Sequence, residues 1–99
     1  MQADYPAQFS RETGCTEQEW LGWLPAAVGN CPMVIDGQAA TVRIDAGVLR
    51  LSWAALAPRR IALMHLPRMQ VSYAFEGIPQ ARRLAFMRRF DLYMQRGGG

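Results

Sequence analysis

Asp36-Gly37, set between the apolar run Met33-Val34-Ile35 and an alternating segment, restricts the fold of this chain more than any other feature. An Asp-Gly pair between extended apolar residues supplies the positive backbone angles of a two-residue turn, which commits its neighbours to antiparallel strands. After it, Ala40, Val42 and Ile44 alternate with Thr41, Arg43 and Asp45, the period of a strand with one buried face. Asp45-Ala46-Gly47 turns the chain into a further strand, in which Leu49, Leu51 and Trp53 share a face. Ala54 to Pro58 reads as a connection. From Ile61 the odd positions are Ile61, Leu63, His65, Pro67, Met69, Val71, Tyr73 and Phe75. That parity survives Pro67 and favours one long strand bent at a proline bulge; a hairpin turning at Leu66-Pro67-Arg68 is the alternative.

Helical patterns flank this β region. Thr16 and Glu19 have capping-box spacing, and Cys15 opposite Trp20 fits a hydrophobic staple. Trp20, Leu24, Ala27 and Val28 form an apolar stripe, with Gly29-Asn30 as its end. Pro25 inside that stripe removes a helical hydrogen bond and predicts a kink or break near Leu24. Ahead of this helix, Phe9 to Thr13 reads as a short edge strand ending at Gly14. A second helix is predicted from Pro79 to Arg96, with Phe86, Met87, Phe90, Tyr93 and Met94 on one broad apolar face. The expectation is a single α+β domain over residues 1–99: an antiparallel meander of three to four strands, with an N-terminal and a C-terminal helix packed on one face. Residues 1–8 and 97–99 are expected to be loosely ordered.

The second helix begins with the wrong charge. Helix N-termini favour acidic residues by roughly 0.3–1 kcal/mol each, yet the first turns here carry Arg82 and Arg83. They are either solvated arginines, one of them paired with Glu76, or the core of an anion site built with free helix N–H groups. Arg82, Arg89 and Arg96 are seven apart and line a basic seam, so RNA or another anion is a candidate partner. Ala81, Ala85 and Leu92 form a second, weaker apolar strip. It faces either the first helix or a second copy of the chain, and it makes self-association, as a homodimer, the leading reading.

Composition narrows the rest. The net charge is +3 and 51% of residues are apolar, enough for a packed core. Every basic side chain is arginine and none is lysine, a bias that a GC-rich bacterial coding sequence produces whatever the protein binds. Beyond residue 46 the only acids are Glu76 and Asp91, against most of the arginines. No apolar stretch approaches the roughly 18 residues of a membrane span, and the N-terminus lacks a signal-peptide pattern. The expectation is a cytoplasmic protein without a membrane partner. Cys15 and Cys31 would lie at opposite ends of a helical rod, about 18–20 Å apart at 1.5 Å per residue, and are expected as free thiols. His65 is the sole histidine, too few for the usual zinc ligand set. No nucleophile, phosphate-loop or dinucleotide motif is present, so neither an enzyme, a metal nor a cofactor is expected.

The order helix, three strands, helix is similar to that of the double-stranded-RNA-binding domain, and Ala81-Arg82-Arg83-Leu84-Ala85 resembles the basic helix start of that family. A Gly-Pro-x-His-like element between the strands is absent, so no family is assigned. The terminal Arg96-Gly97-Gly98-Gly99 looks like the diglycine end of ubiquitin-like proteins, but those place their helix between strands.

Overall fold

The computed structural model describes residues 4–98. The chain runs β1 (Gln8–Thr13), α1 (Glu17–Val28), β2 (Met33–Asp36), β3 (Ala39–Ile44), β4 (Gly47–Ile61), β5 (Met64–Glu76) and α2 (Gln80–Gly98). All five strands form one antiparallel sheet in the order β1-β5-β4-β3-β2. The meander from β2 to β5 is thus continued by β1, which returns to the outer side of β5. The expected count of three to four strands is corrected to five, while the edge strand read at Phe9 to Thr13 is present ahead of α1 as β1.

Register explains which face is covered. Ala40, Leu51, Tyr73 and Phe9 stand opposite one another across four strands, as do Val42, Leu49 and Phe75 across three. Both helices pack on this face. Trp20 of α1 meets Trp53 and Phe90, with ring centroids 5.6 and 5.9 Å away, and Phe86 of α2 meets Phe75 at 6.3 Å. The opposite face carries Ser10, Arg50, Ser52, Gln70 and Ser72, tied by a Gln70–Ser10 hydrogen bond of 3.1 Å and an Arg50–Glu76 ion pair of 2.9 Å. One helical layer suffices because only one sheet face is apolar.

The capping box at α1 is complete: the Glu19 N–H donates to Thr16 Oγ1 at 3.1 Å and the Thr16 N–H to Glu19 Oε1 at 3.0 Å. Trp20, Leu24, Ala27 and Val28 are all buried, as the stripe requires. The break expected near Leu24 does not occur. Pro25 lies within one continuous helix, and its carbonyl accepts the N–H of the Gly29 cap at 3.1 Å. Tertiary burial of the stripe outweighs the missing hydrogen bond.

Three further boundaries differ from expectation. Ala54 to Pro58 is not a connection but part of β4, which continues to Ile61 through an irregularity between Leu56 and Arg59. The single strand through Pro67 is found as β5, with a ladder irregularity opposite the proline, but it starts at Met64 and not at Ile61, and no turn occurs at Leu66-Pro67-Arg68. The chain reverses at Ala62-Leu63, with Ile61 opposite Met64, and Pro67 lies inside β5. Ala62 has φ 55°, in the left-handed region, which costs a residue bearing a Cβ roughly 1–2 kcal/mol. Tyr5 is buried, within the segment expected to be loosely ordered, and the Ala7 carbonyl accepts from the Phe75 N–H at 2.7 Å. At the other end α2 takes in Gly97 and Gly98; Gly99 and the Arg96 side chain lie outside the described residues.

β1 pairs with β5 only as far as Thr13 and Met69, and β3 pairs with β4 only as far as Ala39 and Ser52. Beyond those pairs β4 and β5 continue alone as a two-stranded arm. The molecule is 47 Å long against 30 and 21 Å in its other dimensions.

Candidate functional site: a groove beside the edge strand

Alternation in β1 places Phe9, Arg11 and Thr13 on the helix-covered face, so a charge points inward from the edge strand. A charge there costs heavily unless it is paired. Arg11 donates to both carboxylate oxygens of Asp91 on α2, and its guanidinium lies 5.1 Å from the Tyr73 ring centroid and 5.9 Å from that of Phe9. The Tyr5 hydroxyl donates to Asp91 Oδ2, and Arg11 Nη2 lies 3.4 Å from the Tyr73 hydroxyl. These four side chains join the segment before β1, the strands β1 and β5, and α2.

Electrostatics make this network a fixed scaffold. Burial opposes the Arg11 charge, but Asp91 and Tyr73 more than offset it, and the guanidinium is held charged. Burial pushes the Tyr73 hydroxyl up to about 12, with Arg11 drawing it partly back. Tyr5 is also raised, first by burial and then by Asp91. Neither tyrosine is set up as a base at neutral pH.

Around the network lies a groove of about 890 Å³, lined by Arg11 to Thr13 at the end of β1 and the following Gly14, by Trp20 and Trp23 of α1, and by Arg88, Leu92, Met94 and Gln95 of α2. That volume accommodates a small ligand or a few side chains, about 300–1,000 Å³ being usual. Leu92 on its rim is 45% exposed. Trp20 is fully buried, yet its Nε1–H has no acceptor among the described residues, at a cost of about 1–3 kcal/mol for such a group. The tryptophan of the sheet, Trp53, donates to Glu17 at 2.9 Å.

The residues singled out in the sequence fall into two sets. Arg82 pairs with Asp45 in the β3–β4 turn at 3.0 Å. Arg83 donates to the Tyr5 and Ile78 carbonyls at 2.8 and 2.6 Å. The misplaced charges of this helix start are therefore answered from within the chain, by Asp45 and two carbonyls, and not by Glu76. Arg89 donates to the Ala26 carbonyl at 3.3 Å and stacks over Tyr93 at 4.4 Å. The structure does not bring these arginines together around one point. By contrast, Ala81, Ala85 and Leu92 all lie exposed on the outer side of α2 and are not covered by α1.

Sequence reading missed Arg11, Asp91, Tyr5 and Tyr73 as a unit. One signal was present: Asp91 is the lone acid in a helix rich in arginine, and Arg11 shares the parity of Phe9. Both cysteines are free thiols, and Cys15 is raised by burial and then by Glu19, as for an inert structural thiol. No described helix is long and apolar enough to cross a membrane. Comparison with protein families, curated proteins and solved structures finds no match to this chain.

Proposed function

We propose that the chain is a non-catalytic interaction domain that self-associates through the groove and the outer side of α2. The observation that carries this reading is the exposed apolar rim: Leu92, with Ala81 and Ala85 on the same helix side, stays uncovered beside a groove lined by two tryptophans. A tryptophan-lined groove around fixed charges suits a protein surface, because aromatic and arginine side chains dominate binding energy at such contacts. The pairing of Arg11 with Asp91, both raised tyrosines and the buried Cys15 thiol fit a site that holds a partner and does not react with it. Anion binding by Arg82 and Arg83 is the weaker reading, since a ligand would have to displace Asp45 and two carbonyls.

Sedimentation velocity over a wide concentration range tests the proposal. Wild type should show a concentration-dependent dimer, and Leu92→Glu should shift it to monomer while leaving the circular dichroism spectrum unchanged. A wild type that stays monomeric at the highest concentration overturns it.

A further inference from the structure

The arm ends in an apolar tip. Leu63 is 97% exposed, Met64 60% and Ile61 53%, and the reversal at Ala62-Leu63 places alanine where a turn favours glycine. The arm's two edges are treated differently from its tip. Pro58 and Pro67 each remove a backbone donor, and the irregularity between Leu56 and Arg59 disrupts the ladder, devices that discourage strand addition along an exposed edge. No such protection covers Ile61, Leu63 and Met64. A chain that guards its arm edges and leaves the tip apolar has a use for the tip.

Resting on the self-association reading, we infer that two copies exchange arms reciprocally, each tip seating in the groove of the other. Two observations favour a second copy as occupant. First, groove and arm base share one end of the sheet: Glu12, which lines the groove, bonds Arg68 at 2.9 Å and Arg59 at 3.6 Å, both on the arm. The arm reaches about six residues past its last neighbours, roughly 20 Å at 3.3 Å per residue. Two arms lying antiparallel about a twofold axis therefore bring each tip to the other copy's arm base, where the groove opens. Second, the groove offers what the tip lacks, with Trp23, Leu92 and Met94 for its side chains. A reciprocal contact buries two tips and two grooves in one event, which is how a small tip can contribute to an interface of the usual 1,200–2,000 Å² or so.

The test is cross-linking in trans. In a Cys31→Ser background, with buried Cys15 left in place, Leu63→Cys chains are mixed with Leu92→Cys chains and treated with a short bismaleimide. The expected result is a covalent heterodimer in large excess over either homodimer, and dissociation to monomer in Leu63→Ser. Wild-type dimers that resist Leu63→Ser and give no arm-to-groove product would overturn arm exchange while leaving self-association standing. A monomeric wild type would overturn both. Monomers that bind anionic phosphatidylserine vesicles or duplex DNA, and lose that binding in Leu63→Ser, would also overturn it by assigning the tip another occupant.

Discussion

Replacing Tyr73 with phenylalanine tests the groove network through its response to pH. Tyr73 is buried beneath α2, and its hydroxyl is pushed from the ordinary 10.0 up to about 12. The folded chain therefore retains a proton that the unfolded chain releases at lower pH. The resulting stability is fully present below pH 10 and is lost as pH rises through 12. With these two values the loss is about 1 kcal/mol by pH 11, approaching about 3 kcal/mol above pH 12. Tyr73→Phe keeps the ring that stacks on Phe9, with centroids 4.6 Å apart, and meets Phe90 edge-on at 5.9 Å. Near pH 7 the variant loses one long hydrogen bond, a cost of about 0.5–1.5 kcal/mol. In urea melts at fixed ionic strength the gap between the two proteins should close by about 1 kcal/mol between pH 8 and pH 11. Tyr5 titrates in both proteins and cancels from the comparison. A gap that stays constant across that range refutes the assignment of a buried, proton-retaining Tyr73.

Three other substitutions probe the scaffold. Thr16→Ala should remove the capping box and cost about 1 kcal/mol in urea melts, and a change near zero would mean that the cap is dispensable. Gly47→Ala should destabilise by about 1–3 kcal/mol or more, because an added Cβ would meet the Glu76 carbonyl oxygen at 2.3 Å and that of Gly77 at 2.7 Å; a neutral melt would show that these strands can separate there at no cost. Asp91→Asn should cost about 2 kcal/mol, the usual scale for hydrogen bonds to a charged partner, discounted because both side chains of the Arg11–Asp91 pair are about a third exposed; an effect under about 0.5 kcal/mol would reduce the pair to a surface contact.

What could be read from the sequence was whatever depends on neighbours in the chain. The cap at Thr16, the hairpin signalled by Asp36-Gly37 (whose turn is Gly37-Gln38, with Asp36 still paired to Ala39), the parity from Met69 to Phe75 and the exposed side of α2 at Ala81, Ala85 and Leu92 are all local patterns. The arm was misread because its turn, Ala62-Leu63, lacks turn chemistry, whereas Pro58 and Pro67 resemble breaks and serve inside strands. The single strand through Pro67 was legible in its parity, and the ladder irregularity lies opposite that proline, between Leu56 and Arg59. The Arg11–Asp91–Tyr5–Tyr73 network was hidden for another reason: its members meet only when β1 returns to β5, a pairing that six residues of edge strand cannot announce. Arg82 and Arg83 broke a local rule, and the partners that answer them, Asp45 and the Tyr5 carbonyl, are distant in sequence.

The groove as a homotypic contact is tested most directly by the three tryptophan indole N–H resonances in a dilution series. Trp20 and Trp23 line the groove, while the Trp53 indole is held by Glu17. The account predicts that the Trp20 and Trp23 signals shift or broaden as concentration rises, in step with the dimer fraction from sedimentation, while Trp53 moves least. Tryptophan signals that stay fixed as the dimer forms, or that change at Trp53 alone, would contradict it.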